Sequence, residues 1–420
     1  MSLVYIILLF INILTFSKIM SKNILLLMYF GGYILFFFMP SFTSFGLLGE
    51  VFDFKLTYTL LKTESIEFIL YCNIIVTFFI FIQSFFSKTY AYKNIGHKNS
   101  QFFEFLLYVL IFFYIIKSLR LILFVSEYGF LSYYTDYKEL FIINLFWYIS
   151  KFYIIFYIWW FDILKINKIF LLGFLIILIC ILVFGFRYEA LFFLANLVLR
   201  YQIFKKPKKI INKKLLLVIV FFMISLQAIS LFRTYNFKIE NLQDVSLKTL
   251  FIGSLVSQNG VPVFAGLAYE NIDFLSKQTN VSVLSPILDP INRLIIGHNG
   301  AHNTEYLNIT KSIDHQLTYH LNSNYWLKGG GMGSSFIFES YFVFWYFGLI
   351  LILLFNSYVI NNIMSFNKYI RLFVCMNLFH FFYMWRSSYV FSFEAIIGFL
   401  MVITLWVLFT NTNSRKHLAD

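Results

Sequence analysis

Residues 169–201 read IFLLGFLIILICILVFGFRYEALFFLANLVLRY, with Lys165 and Lys168 just before them and Lys205, Lys206, Lys208, Lys209, Lys213 and Lys214 just after. As a single helix these 33 residues would extend about 50 Å, at about 1.5 Å per residue. The hydrocarbon core of a bilayer is only about 30 Å thick. Lysine clusters mark the cytoplasmic flanks of membrane spans, so both ends of the stretch belong on one side. The chain must therefore turn back in the middle, and Gly185-Phe186-Arg187-Tyr188-Glu189 is the one candidate turn. The stretch reads as two short spans joined by a tight hairpin, with Arg187 and Glu189 at its outer tip.

The rest of the chain follows the same logic. Its 420 residues are 60% hydrophobic and only 13% charged, against about 25% charged in a soluble domain, so lipid has to cover most of it. A span needs about 20 mostly apolar residues. Candidates lie near 3–17, 24–39, 66–86, 102–125, 140–161, 169–185, 188–204, 215–232, 336–356, 370–384 and 389–410. All five prolines (Pro40, Pro207, Pro262, Pro286 and Pro290) fall outside these runs, which therefore read as uninterrupted helices. The run over residues 3–16 lacks a basic n-region and is followed by Lys18 and Lys22 instead of a small-residue cleavage site, so it reads as the first span. The expected fold class is all-α: a polytopic integral membrane bundle of about eleven transmembrane helices, one membrane domain over residues 1–420.

Orientation comes from charge. Lys88, Lys93 and Lys98 occupy a further basic loop, and the basic loops are cytoplasmic. Of the carboxylates only Glu104, Asp162 and Asp420 share that side. The rest collect on the other, seven of them in a single large loop over residues 233–335. A net charge of +13 on a soluble module would suggest nucleic acid; here the basic residues punctuate apolar runs, so no nucleic-acid partner is expected. Cys72, Cys180 and Cys375 all lie inside predicted spans, which rules out a disulfide framework.

Three features are candidates for chemistry. Arg120, Arg187, Arg233, Arg293 and Arg386 sit on or near the outer face, whereas lysine supplies most of the cytoplasmic charge. A guanidinium binds phosphate oxygens through a rigid two-pronged fork, so these arginines suit a lipid-linked phosphate or pyrophosphate, with Lys117 one turn before Arg120. Snorkelling to the headgroups is the competing explanation. The second feature is Lys328-Gly329-Gly330-Gly331-Met332-Gly333-Ser334-Ser335, which leads into the ninth span with Glu339 in its first turn. Bare backbone N–H groups at a helix start can converge on an anion; the bland alternative is a flexible linker. No Gly-Lys-Ser/Thr closes the segment, so it is not a nucleotide loop.

The third is a cluster of four of the seven histidines within 23 residues: His298, His302, His315 and His320, near Glu305 and Asp314. Their spacing matches no strong metal template, and no metal or cofactor is expected. A single base, His302 foremost, acting on a sugar hydroxyl is the sharper reading; solvated loop residues are the plainer one. No Asp-x-Asp pair is present to hold a metal-bound nucleotide diphosphate, and no cytoplasmic loop is large enough for a catalytic domain.

Gly185-Phe186-Arg187 at a helix turn, Arg233 at the mouth of the large loop, the 329–339 segment closing it and Gly348 beyond together resemble the bacterial O-antigen polymerase (Wzy) family. The resemblance implies a glycosyltransferase of the bacterial inner membrane whose site faces the periplasm. It would transfer a growing glycan from undecaprenyl pyrophosphate onto a lipid-linked repeat unit, with membrane lipid and a chain-length regulator protein as companions. By position Arg187 and Arg233 would hold carrier pyrophosphates. Glu339 with Gly330, Gly331, Gly333, Ser334 and Ser335 would form part of the same site. The alternatives are an O-antigen ligase and a lipid-linked oligosaccharide flippase; a flippase would be expected to show near-equal halves and short loops.

The topology is testable by cysteine accessibility. A reporter at position 210 is expected to label from the cytoplasm and reporters at 187 and 300 from outside. Labelling of position 187 from the cytoplasm alone would remove the hairpin.

Overall fold

The computed structural model describes residues 2–19, 23–45, 61–87, 101–129, 140–160, 168–184, 260–278, 302–328, 335–363 and 365–386, with isolated positions at 132 and 137 and within 190–200, 285–289 and 396–407. Among the described residues 91% are helical and none is in a strand, so the all-α expectation holds. Among the described residues six helical stretches are long and apolar enough to cross a bilayer: Ser2–Ile19, Leu25–Thr43, Thr63–Phe86, Gln101–Tyr128, Ile142–Trp160 and Phe336–Asn362. The chain is a multi-pass membrane protein. Of the other expected spans, 169–185 is a shorter helix, 370–384 is broken, and 188–204, 215–232 and 389–410 lie wholly or partly outside the described residues.

The membrane part begins with α1 (Ser2–Ile19), α2 (Ile24–Tyr33), α3 (Met39–Phe45), α4 (Thr63–Phe86), α5 (Gln101–Tyr128), α6 (Phe141–Trp160) and α7 (Lys168–Phe184). Between them and the next long helix come α8 (Gly260–Glu270), α9 (Ile272–Lys277), α10 (Thr304–Ile309), α11 (Ile313–Leu321) and α12 (Ser323–Leu327). Then follow α13 (Phe336–Asn362), α14 (Lys368–Met376) and α15 (Leu378–Tyr383). In one group of neighbours α5 packs on α6 and α7, and α14 on α6. In another α4 is central, taking α1 on one side and α8 and α13 on others, while α2 lies against α15.

Helix α1 shows why core and lipid faces are hard to tell apart by residue type. Tyr5, Leu8, Asn12, Thr15 and Ile19, at helical spacing, are buried, while Leu3, Phe10 and Ile13 stay exposed. Both faces are largely apolar because the outer one meets acyl chains. What separates them is polarity in small amounts. Asn12 Nδ2 donates to Thr77 Oγ1 (3.4 Å), and Tyr33 Oη lies 2.8 Å from the same Thr77 oxygen and donates to Asn73 Oδ1 (3.0 Å). Three helices are thus tied by hydrogen bonds that lipid cannot replace.

Two expectations about continuity need correction. Pro40 does not end a helix: it lies inside α3, which continues α2 through a π-helical segment, Ile34–Phe38. Proline removes one N–H and crowds the carbonyl four residues back. Just before it the backbone is widened, the Met39 N–H bonding the Ile34 carbonyl five residues back, and the run continues to Phe45. Likewise Pro262 sits in the first turn of α8, where a missing N–H costs nothing. The expected span at 370–384 is interrupted at Asn377 (φ −102°, ψ 11°), whose side chain donates back to the Phe373 carbonyl at 2.9 Å.

Close approach of α2 to α15 is set by glycine. A Cβ on Gly32 would collide with the Phe382 carbonyl and the Trp385 ring, whereas one on Gly31 would meet only Phe382 Cε2 at 3.9 Å. Gly32→Ala is therefore expected to cost about 1–3 kcal/mol as overpacking against backbone, and Gly31→Ala to be nearly neutral. Thermal midpoints of the two purified variants in one detergent check this. Equal midpoints would show that the α2–α15 contact is not tight.

Candidate functional site

Helix α13 is not a straight rod. At Phe344 (φ −142°, ψ 33°) and Trp345 (φ 55°, ψ −145°) its backbone leaves the helical region, and Trp345 is the sole non-glycine with positive φ among the described residues. A bulky residue there costs about 1–3 kcal/mol. The break turns the chain so sharply that a Cβ on Gly348 would strike the Ser340 carbonyl, two helical turns back in sequence. An eight-residue arm, 336–343, is thereby set off from the longer arm that follows.

Beside this arm a cleft of about 300 Å³ is lined by Lys62, Glu64, Ser65, Tyr269, Glu270, Ile272, Tyr341 and Trp345. Glu270, the last residue of α8, caps α4. Its Oε1 accepts the Lys62 backbone N–H at 2.5 Å and the Ser65 hydroxyl at 2.9 Å, at the end where the helix dipole favours a carboxylate. Tyr269 stacks on Phe68 (4.5 Å, 8°), and Gly266 lets α8 close on Leu61 and Ile69. Nothing in the sequence marked this group, because Glu270 and Lys62 are 208 residues apart. The faint signal available was Tyr341 and Trp345, four apart in the opening turns of a span.

At the start of the arm, Ser335 is the N-cap and is fully buried, and Glu339 in the first turn is 2% exposed. Phe336 packs on Trp385 at 4.7 Å, edge to face. The turn Met384–Arg386 therefore lies against the start of α13, and Arg386 comes to the same end of the bundle as Ser335 and Glu339. Trp385 is held in turn by its indole N–H on the Tyr29 carbonyl at 2.9 Å.

The histidine-rich segment over residues 302–328 is a small cluster of short helices. Trp326, fully buried, donates its indole N–H to His315 Nδ1 (3.0 Å), and His302 Nδ1 lies 2.8 Å from the Trp326 carbonyl. A carbonyl only accepts, so His302 carries its proton on Nδ1. His302 is buried against Trp326 (5.0 Å) and His315 (5.2 Å), and His320 stacks on Phe274 at 3.8 Å. Asp289 ties this cluster together: its carboxylate accepts from Thr310 Oγ1 (2.6 Å), the Lys311 N–H (2.7 Å) and Tyr306 Oη (3.3 Å).

Arg120 and Lys117 are not brought to one site. Lys117 is buried between α5 and α6, donating to Asn144 Oδ1 at 2.5 Å with its ammonium 3.7 Å above the Trp147 ring, while Arg120 is exposed. Lys151 approaches the same ring from 5.4 Å, so Trp147 serves two buried cations. Among the described residues no group of three or more His, Cys, Asp or Glu is placed to hold a metal.

The family model for O-antigen polysaccharide polymerase Wzy matches residues 1–416. The chain belongs to the Wzy family. No curated protein and no solved structure gives a significant match. Wzy proteins polymerise lipid-linked oligosaccharide repeat units in membranes, so the features of interest are those that meet a lipid-borne saccharide. Several residues expected for that role in this Wzy chain lie outside the described residues: Arg187, Arg233, Arg293, Gly330, Gly331, Gly333, Ser334 and His298.

Asp289→Ala would strand three donors in this cluster. A hydrogen bond to a charged group contributes about 1.5–3 kcal/mol. Amide exchange within 302–328 is therefore expected to quicken about 10- to 100-fold, read by mass spectrometry on the membrane-embedded protein. Unchanged exchange would mean that Asp289 does not hold the cluster together.

Proposed function

We propose that this Wzy-family chain transfers a growing glycan from undecaprenyl pyrophosphate to a lipid-linked repeat unit at the periplasmic face of the bacterial inner membrane. The observation that carries this reading is the family match over residues 1–416. In the reaction the bond between the donor sugar's C1 and its phosphate oxygen breaks, the electron pair leaving with the pyrophosphate. An acceptor hydroxyl forms the new bond to C1 and gives up its proton to a base. Charge develops on the leaving group, so the protein must supply fixed cations there, and Arg187 and Arg233 are proposed for that task because forked guanidinium donors match phosphate oxygens. Ser335, Glu339 and Arg386 adjoin them in this reading, completing the site with the glycine-rich segment, and the 233–335 loop roofs the bundle on the periplasmic side. A chain-length regulator is a proposed companion.

Gene deletion complemented by variants tests the proposal. Cells lacking the gene are expected to cap lipid A core with a single repeat unit and to make no ladder, and wild type to restore the ladder. Absence of any unit would indicate a flippase, and accumulation of carrier-linked polymer a ligase. Arg187→Ala and Arg233→Ala are each expected to lower ladder synthesis about 10- to 100-fold per molecule in the membrane, with Lys rescuing only in part. Full activity of both Lys variants would leave fork binding without support, since a snorkelling lysine serves as well as an arginine.

A further inference from the structure

The cleft between α4, α8 and the arm of α13 has the chemistry of a site for a neutral, hydroxyl-rich ligand. Its walls combine three aromatic residues, Tyr269, Tyr341 and Trp345, with two carboxylates, Glu64 and Glu270, and one cation, Lys62. The acidic excess disfavours a phosphate. A purely apolar ligand would strip water from the carboxylates without returning a hydrogen bond. Sugar hydroxyls donate to carboxylates, and the C–H faces of sugar rings lie against aromatic faces. At about 300 Å³ the cleft is at the small end of ligand sites, about 300–1,000 Å³, the size for a few sugar rings and not a polymer.

Two details sharpen the assignment. Among the described residues Glu270 engages partners through one oxygen alone: Oε1 takes both the Lys62 N–H and the Ser65 hydroxyl. Those two bonds also fix its position at the rim of α4. Trp345 is 72% exposed and is held at positive φ, a conformation that Trp adopts only at a cost. A tryptophan serving as a bilayer-interface anchor needs no such backbone, because an ordinary helical turn presents it equally well. The neighbouring exposed rings, Phe344 and Phe347, do not line this cleft, whereas Trp345 does.

We propose that this cleft binds the saccharide of the acceptor repeat unit, with Trp345 and Tyr341 against ring faces and Glu270 Oε2 accepting a hydrogen bond from a sugar hydroxyl. The assignment rests on the polymerase reading for the identity of its ligand, and it separates sugar recognition from phosphate recognition on the chain.

The test uses the full chain in phospholipid nanodiscs. The probe is the single repeat-unit oligosaccharide, released by mild acid from the host's own lipid carrier and therefore free of pyrophosphate and lipid. Affinity is read by saturation-transfer NMR. Glu270→Gln keeps an amide oxygen for Lys62 and Ser65, so α4 stays capped and the thermal midpoint should hold, while affinity drops about tenfold or more. Trp345→Ala should weaken binding similarly, and Trp345→Phe, which keeps an aromatic face, should restore most of it. Wild-type affinity in both Glu270→Gln and Trp345→Ala overturns the proposal, as does a Trp345→Ala protein that merely inserts less well and binds normally once inserted. The two readings fail differently. If the wild-type gene restores no ladder to the deletion strain, the polymerase reading falls; if it does and Glu270→Gln restores the same ladder, only the cleft assignment falls.

Discussion

Inside a hydrocarbon layer a backbone N–H or C=O has no water to turn to, and each one left unpaired costs several kcal/mol. The α-helix answers this by satisfying the chain from within, so every departure from it marks a place where another group has taken over. Three departures are visible here. Around Pro40 the helix widens into a π-segment and carries on. At Asn377 a side-chain amide covers the Phe373 carbonyl between α14 and α15. At Phe344 and Trp345 the backbone turns through positive φ, and the tight return past Ser340 is possible because residue 348 is glycine. The first two are local repairs. The third redirects the chain, and the residues around it line the cleft.

The same constraint explains how the helices recognise one another. Lipid tails are as apolar as leucine, so association depends on close packing and on a few buried polar contacts. Gly32 against Phe382 and Trp385 is a packing contact of this kind, and the Asn12, Tyr33, Asn73 and Thr77 cluster is a polar one. Lys117 and Lys151 are an extreme case, since a buried ammonium is tolerated where Asn144 and the face of Trp147 partly replace its hydration. The cluster over residues 302–328 uses the opposite strategy, that of a water-soluble domain: a buried Trp326, histidine rings packed edge-on around it and a carboxylate, Asp289, engaged with three donors.

How much of this was legible depended on length more than pattern. Spans 3–17, 66–86, 102–125 and 140–161 correspond to α1, α4, α5 and α6 within a few residues, because a run of about 20 apolar residues between polar flanks is a statement about bilayer thickness. The inward face of each was not legible. Periodicity separates core from solvent only when solvent is water, and in α1 the exposed Leu3, Phe10 and Ile13 are as apolar as the buried Leu8 and Ile19. Helix interruptions were missed for a related reason: Pro40 was read as a boundary because a π-turn has no sequence signature, and nothing in Phe344-Trp345 announces a break. The position of Glu339 was legible, since it does lie in the first turn of a helix that starts at Phe336. His302 was singled out by the density of histidines, yet its ring is engaged with the Trp326 carbonyl and packed in the cluster. Glu270 was passed over because its partners come from the other end of the chain.

The arm 336–343 gives the proposed site its geometry. Glu339 and Tyr341 are two residues apart on one helix, hence on roughly opposite sides. One side carries Phe336 against Trp385 near Arg386, and the other presents Tyr341 to the cleft. From Phe336 to Phe344 a helix rises about 12 Å at about 1.5 Å per residue. In a polymerase the acceptor hydroxyl meets the donor's C1 beside the leaving pyrophosphate while the rest of the acceptor saccharide runs away from it, so the cations at the leaving group and the contacts along the acceptor saccharide are set apart by about the length of a short oligosaccharide. A rigid helical arm whose first turn belongs to the glycine-rich approach and whose last residue leads into a strained tryptophan provides such a spacing. The strain at Trp345 then has a physical role: it stops the arm at a fixed length and turns an aromatic face toward the saccharide, at an angle that a continuing helix would not allow.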